Sequence, residues 1–192
     1  MTKALGRCPR AFAVALLMAA LPAIGHAQAT WSTQVVIPDM LTIRVPTTIL
    51  AFTPGQPLPG GGTAPTQGPN GCPMATTYPP AQFPACYPIA LSGGNLPVDV
   101  FSNIRGPWSL LLDVADLSDD TGTARLPSDR IWFRVGQGSW QRAGATSSPL
   151  YFGTGPTEGF MRLDIQFALE LDGTERAGSF ATNAVVSALR QP

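Results

Sequence analysis

Carboxylates are the side chains of this 192-residue chain with the greatest capacity for chemistry, and five of them lie close together in sequence. A pair of carboxylates can hydrolyse a glycosidic bond, and several carboxylate oxygens together can bind Ca²⁺. The spacing matches no EF-hand loop, and Asp-Asp-Thr-Gly at 119–122 is common turn chemistry. We interpret the cluster as a solvated turn, with calcium binding as the alternative and a glycosidase least favoured. The five are Asp113, Asp116, Asp119, Asp120 and Asp129.

The histidine and lysine side chains that other kinds of catalytic site need are absent from most of the chain. The one histidine, His26, and the one lysine, Lys3, both lie in the first 29 residues. Residues 30–192 therefore have no imidazole for a Ser-His-Asp or Cys-His site and no amine for a Schiff base. They contain nine arginines and twelve carboxylates, a net charge of −3, without the basic cluster that nucleic acid or an anionic membrane requires. We expect no enzyme, no cofactor and no nucleic-acid partner.

The first 29 residues have the layout of a secretory signal peptide. Lys3, Arg7 and Arg10 precede a thirteen-residue apolar run at 11–23, and small residues occupy the cleavage positions up to Ala29. The apolar run is shorter than the roughly 20 residues that span a bilayer. We therefore predict cleavage after Ala29 and a secreted protein, in the periplasm or at the cell surface, with no stable transmembrane span.

A disulfide is the expected state of the two cysteines beyond that segment, Cys72 and Cys86. Their spacing is not C-x-x-C, and no histidine is present to complete a zinc site. Both lie in residues 53–88, where ten prolines and six glycines exclude a regular element. We expect an irregular insertion loop whose second half is held by the disulfide.

Strand patterns dominate the rest of the chain. In residues 161–171 every odd position is apolar and every even position except Ala168 is polar, which indicates a strand with one buried face. Asp172-Gly173 and a second strand, residues 179–189, suggest a hairpin. Short strands separated by turns every 8–12 residues are typical of an antiparallel β-sandwich. We predict an all-β, Ig-like or Greek-key sandwich of eight or nine strands, forming one domain over residues 30–192.

Few exposed side chains are candidates for contact with a ligand or partner. Trp132 lies on the opposite strand face from Ile131 and Phe133 and beside Arg134, so an exposed indole could stack on a sugar or dock a partner. Tyr151 is a further candidate. Packing under the 53–88 loop explains Trp132 equally well. Trp108 and Phe160 start apolar strands and are expected in the core.

The N-terminal strand is the candidate for assembly. Proline cannot donate to a β-ladder, so Pro38 separates the apolar segment before it from the following strands. We expect this segment to be an edge strand or a detachable arm that can add to the open edge of a neighbour. It comprises Gln34, Val35, Val36 and Ile37.

Two stretches together resemble known surface domains. Trp108-Ser109-Leu110-Leu111-Leu112 resembles the Trp-x-Leu strand of bacterial WxL-type cell-surface domains. The ending Ala177-Gly178-Ser179-Phe180-Ala181-Thr182 resembles the closing strand of those domains and of fimbrial, spore-coat-like β-sandwiches. The likeness covers about residues 100–189. It implies a surface structural protein more than any ligand, and no family binding residue is carried over.

Two functions follow from these observations. The first is a non-enzymatic cell-surface or envelope protein, a fibre or surface-layer subunit that assembles by strand addition with itself or with other envelope proteins. The second is a carbohydrate-binding module for cell-wall polysaccharide, using Trp132, Tyr151 or the tyrosines of the disulfide loop.

Overall fold

The computed structural model describes residues 36–61, 63, 65–144, 146–175 and 178–191. The predicted signal peptide lies outside these ranges, as do Gln34 and Val35 of the predicted arm. Within them the chain is all-β, with three short 3-10 turns and no α-helix. No helix in these ranges is long and apolar enough to cross a membrane. Ile37–Pro192 forms one compact unit.

Two antiparallel sheets of six strands each contain all twelve strands of the described chain, which confirms the predicted β-sandwich. The first sheet comprises β1 (Leu41–Arg44), β3 (Ala85–Pro88), β4 (Asn95–Ser102), β8 (Ile131–Val135), β9 (Gln141–Arg142) and β11 (Met161–Leu171). The second comprises β2 (Ile49–Phe52), β5 (Trp108–Val114), β6 (Leu117–Asp119), β7 (Arg125–Leu126), β10 (Ser148–Gly153) and β12 (Phe180–Arg190).

Some of these strands are pieces of one longer strand, which is why they outnumber the eight or nine expected. β3 and β4 follow one another along the same edge of β11, where Pro88 pairs with Ala168 and Asn95 with Gln166. The turn Ser92–Gly94 therefore interrupts a strand and does not close a hairpin. β5 and β6 likewise follow one another along β12.

The hairpin predicted from residue 161 to residue 189 is wrong, because its two strands belong to different sheets. β11 lies at the centre of the first sheet, between β4 and β8. β12 lies at the centre of the second sheet, between β5 and β2. Each strand has one apolar face, and placing the strands in opposite sheets directs both faces into the same core.

The core between the sheets is built around Trp108, whose side chain is 1% exposed. Its indole Nε1 donates to the carbonyl of Gly155 at 2.8 Å, and its ring packs at 5.5 Å from that of Tyr151. Trp108 is in the core as expected, but Phe160 is not. Phe160 is 44% exposed on the outer face of the first sheet, where the guanidinium of Arg44 lies 3.9 Å from its ring centre.

Gly153 supplies a sensitive test of this packing. A Cβ atom at this position would lie 2.0 Å from Cε2 of the Trp108 indole, whereas a Cβ at Gly155 would meet nothing within 4 Å. We expect Gly153→Ala to lower the free energy of unfolding by about 1–3 kcal/mol, the usual effect of overpacking a core, and Gly155→Ala to leave it nearly unchanged. Urea denaturation measures both. Equal stabilities of the two variants would contradict this packing.

An ion pair anchors the connection between β11 and β12. Oδ1 of Asp172 accepts hydrogen bonds from the backbone and hydroxyl of Thr174, at 3.0 and 2.6 Å. Oδ2 accepts from Arg130 Nη2 at 2.5 Å, just before β8. The Thr174 hydroxyl, followed by the Arg130 guanidinium, lowers the pKa of the Asp172 carboxyl well below its usual value. The crossing is therefore tied to the first sheet.

This ion pair predicts a pH dependence of stability. Because the folded-state pKa of Asp172 is lowered from 3.8, its ionised carboxylate stabilises the fold above about pH 4. The contribution is lost as the pH falls toward the lowered value. We expect Asp172→Asn to be less stable at neutral pH and to lose less stability than the wild type between about pH 4 and pH 2. Urea unfolding measures both proteins across this range. If the ion pair did not contribute, the free energies of unfolding of the variant and the wild type would fall in parallel with pH.

Candidate functional site

One edge of the central strand β12 is only partly covered. Along one side, β12 pairs with β5 and β6 for almost its whole length. On the other side, β2 pairs only with Phe180–Asn183, and the last hydrogen bond runs from the Ala184 N–H to the Thr48 carbonyl at 2.8 Å. Among the described residues, no strand pairs with Val185–Arg190 on this side. About half of this edge of a central strand is thus open in the sense that no described strand is hydrogen-bonded to it, although β1 lies close to β12.

The backbone groups on this edge can be named from the register. The N–H of Ala184 points toward β2, and alternate residues of a strand point the same way. Val186, Ala188 and Arg190 therefore direct their N–H and C=O groups to the open side. Two other outer strands are poorer templates, since β9 has two residues and β10 has a register shift beside Pro149.

The described part of the predicted arm is exposed and apolar. Val36 and Ile37 are 76% and 75% exposed. The chain enters the fold just after them: Asp39 forms an ion pair with Arg190 at 2.6 Å, and the carbonyl of Pro38 accepts from Asn103 at 2.9 Å. The entry to the fold therefore lies beside the last residues of the open edge.

Apolar side chains also cover the outer face of the second sheet next to this edge. Phe152 and Leu189 lie on either side of Ser109 in one row across three strands, and they are 65% and 50% exposed. Val185 and Ile49 continue the surface and are more than half exposed. An outer sheet face is ordinarily polar. The outer face of the second sheet is instead apolar, as is typical of a surface that another molecule buries.

The outer face of the first sheet has a different character, and it contains two of the predicted contact residues. The indole Nε1 of Trp132 donates to Oε2 of Glu170 at 2.7 Å. The guanidinium of Arg142 lies 4.3 Å from the Trp132 ring centre and donates to the same carboxylate oxygen at 2.8 Å. Trp132 is on the predicted face, and its polar atom is paired within the protein.

The disulfide, confirmed between Cys72 and Cys86, lies over this same face. Both cysteines are buried and pack on Ala168 of β11, and Met74, Trp132 and Trp140 close around them. The second half of the Pro/Gly-rich loop is therefore fixed to the sheet through a small apolar cluster. Trp132 therefore packs under the loop, against the disulfide.

Arg134, the second predicted contact residue, is unusual among the arginines. It is only 8% exposed, its Nε donates to Oε1 of Gln166 at 2.5 Å, and its guanidinium lies 4.7 Å from the ring centre of Trp140. Burial lowers the pKa of this guanidinium. All twelve acidic side chains of the sequence lie in the described ranges, and none forms an ion pair with it. Arg134 is thus a largely buried arginine without a carboxylate partner, and its terminal nitrogens keep contact with water.

The third predicted residue, Tyr151, lies elsewhere. It belongs to β10 in the second sheet and packs against the core beside Trp108. The structure therefore brings Trp132 and Arg134 to one face and separates Tyr151 from them. Sequence reasoning missed Trp140, Gln166 and Glu170 as their neighbours, because only the pairing of β8 with β9 and β11 makes them adjacent.

The aspartate cluster is dispersed over two strands and the turns that follow them. Asp113 accepts from the Ser147 hydroxyl at 2.6 Å, and Asp116 accepts from the backbone N–H of Ser128 at 2.9 Å. Asp119 accepts from the side chain of Thr121 at 2.8 Å, within its own turn. In the described ranges, no three His, Cys, Asp or Glu side chains converge as metal ligands do.

Comparisons with protein-family models, with curated proteins and with solved structures find no match. The resemblance to WxL-type and fimbrial-like surface domains therefore stays a prediction, and function has to be argued from this chain's own geometry.

The packing of Trp132 can be tested against a purely ligand-facing role. Trp132→Phe keeps an aromatic ring against the disulfide and removes the hydrogen bond to Glu170. We expect the free energy of unfolding to fall by about 1.5–3 kcal/mol, the value of a hydrogen bond to a charged group. Urea denaturation of the oxidised protein measures the change. A side chain kept only for an external ligand would leave stability unchanged.

Proposed function

We propose that this protein is an exported, non-enzymatic subunit of a cell-surface or envelope structure that assembles by strand addition. Residues 34–37 of one copy add to the open edge of β12, Val185–Arg190, in the next copy. The single observation that carries the proposal is that, among the described residues, no strand is hydrogen-bonded to this half of the edge of a central strand. Repetition of the contact from copy to copy is heterologous and gives a fibre or layer.

The edge supports the proposal because unpaired backbone groups of a strand are a template for another strand. Val186, Ala188 and Arg190 present both a donor and an acceptor to the open side. The six residues of the edge exceed the four of the arm, which span about 13 Å at about 3.3 Å per residue. The exposed apolar face with Phe152 and Leu189 adjoins the edge and gains cover from the same neighbour.

The arm supports the proposal from the other side of the contact. Val36 and Ile37 are largely exposed, although burying such side chains is favourable by about 1.5–3 kcal/mol each. Pro38 removes the backbone donor that would extend β1 backwards, so the arm is separated from its own sheet.

The cysteine chemistry favours export. Disulfides persist in oxidising compartments, and the Cys72–Cys86 bond clamps a loop that has little other regular structure. Export agrees with the predicted signal peptide. Absence of histidine and lysine from residues 30–192 favours a structural role over an enzymatic one. The alternative is a carbohydrate- or cell-wall-binding module.

Two variants separate the donor from the acceptor. Deletion of residues 30–38 removes the arm and keeps the edge. Ala188→Pro removes an N–H that points to the open side and keeps the arm, while circular dichroism verifies its fold. Each variant alone is expected to stay monomeric, whereas the intact protein forms high-molecular-weight assemblies. An equimolar mixture of the two should give a one-to-one dimer by size-exclusion chromatography with light scattering.

A synthetic peptide of residues 30–38 supplies a further measurement. It should bind the arm-deleted protein and cap growth of the intact one, and a scrambled peptide of equal composition is the control. Unchanged assembly after arm deletion, or absence of the mixed dimer and of peptide binding, would refute strand addition.

A further inference from the structure

A cavity of about 420 Å³ lies at the end of the second sheet where β12 begins. Phe180, the first residue of β12, pairs with the last residue of β2 on one side and with the last residue of β6 on the other. The residues one position beyond this row are Thr53, Ser179 and Asp120, which therefore stand side by side, about 5 Å apart from strand to strand. All three line the cavity, whose volume is in the range of ligand-binding sites.

A tight turn and a tyrosine of the disulfide loop form the wall of the cavity. The Gln56 N–H donates to the Thr53 carbonyl at 3.1 Å, and Gly55 has a φ of 78°, as expected for the residue that follows proline in a type II turn. A Cβ atom at Gly55 would lie 2.8 Å from the backbone nitrogen of Tyr78, so the turn lies directly against this residue. Tyr78 itself is partly buried against the core, and its ring centre is 6.2 Å from that of Tyr87. The wall is therefore fixed by packing before any ligand binds.

The polar side chains of this cavity are free to bind a ligand. Five of them form no side-chain hydrogen bond or ion pair with the described residues: Thr53, Gln56, Tyr78, Asp120 and Ser179. None of their oxygen or nitrogen atoms is among the buried atoms without a partner, so the unpaired atoms are in contact with water. The cavity thus combines one carboxylate, one amide and three hydroxyl groups that a ligand can reach.

The chemistry of the lining indicates the class of ligand. Among the described residues of the cavity, Asp120 carries the only charge, so a phosphate or a carboxylate would meet repulsion and no cation. Leu171 and Phe180 are each 1% exposed, so a lipid chain would find little apolar surface. The hydroxyl groups of a neutral sugar pair well with a carboxylate, an amide and other hydroxyls, and the apolar face of its ring packs against an aromatic side chain.

We propose that this cavity binds a neutral hexose. The Asp120 carboxylate accepts hydrogen bonds from sugar hydroxyls, the Gln56 amide and the Ser179 hydroxyl pair with others, and the Tyr78 ring borders the apolar face of the sugar. The site lies at the opposite end of β12 from Val185–Arg190, so it does not depend on strand addition. It gives the alternative function, carbohydrate binding, a location on this chain.

D-Glucose, D-galactose and D-mannose are the probes, and calorimetry and two-dimensional NMR measure their binding to the oxidised protein. At least one hexose should bind saturably, and the uronate of the same configuration should bind roughly tenfold or more weakly, because its carboxylate meets that of Asp120. Asp120→Asn, at an exposed residue, should weaken binding of the hexose about tenfold and remove the preference over the uronate. Asp129→Asn is the matched control at an exposed carboxylate that does not line the cavity, and it should bind like the wild type.

Backbone amide resonances show where the sugar binds. Those of Gly55 and Ser179 should shift with the hexose in the wild type and also in the protein that lacks residues 30–38, which separates this site from assembly. Those of Val185–Arg190 should stay unchanged. No saturable binding of any of the three hexoses, equal binding of the matching uronate, unchanged binding by Asp120→Asn, or shifts confined to residues outside the cavity would overturn the proposal.

Discussion

The burial of two central strands against each other is the constraint on which the rest of the structure depends. β11 and β12 are the longest strands, and each has an apolar face that needs a partner. Because they lie in opposite sheets, both faces contribute to one core that includes Trp108, and six of the other ten strands pair directly with one of them. The connection between them has to cross the sandwich, and the Arg130–Asp172 ion pair holds this crossing in place. The two outer faces are consequences of the same arrangement.

These outer faces differ because different parts of the chain remain to cover them. The first sheet carries charged side chains and the disulfide loop, so its outer surface is a set of paired polar groups around a small apolar cluster. The second sheet exposes Val185, Leu189 and Phe152, and β2 covers only half of the adjoining edge of β12. No described strand forms a β-ladder with the remaining half, although β1 lies close to β12.

Arg134 is the point at which the local rules of folding are broken. The largely buried carboxylate of Glu170 has its counter-ion in the more exposed Arg142. Arg134 has instead an amide and an indole, which position the guanidinium without neutralising it, and its terminal nitrogens stay in contact with water. The disulfide loop contributes by holding Trp140, whose indole N–H donates to the Gln67 carbonyl at 3.2 Å.

The alternation in residues 161–171, the Pro/Gly-rich composition of 53–88 and the even cysteine pair were enough to predict an antiparallel sandwich with one disulfide, because they depend on local periodicity and covalent chemistry. The same period of two predicted which face of its strand carries Trp132. The sequence did not predict which strands pair, since an apolar face shows that a strand is buried but not which strand lies beside it. The hairpin at 161–189 failed for this reason. The placement of Phe160 in the core failed for another, because Phe160 is in phase with the outward-facing Arg162 and Asp164. Only the tertiary structure decided which edge of β12 stays open and that Arg134 is buried without a carboxylate, because both depend on pairings between residues distant in sequence.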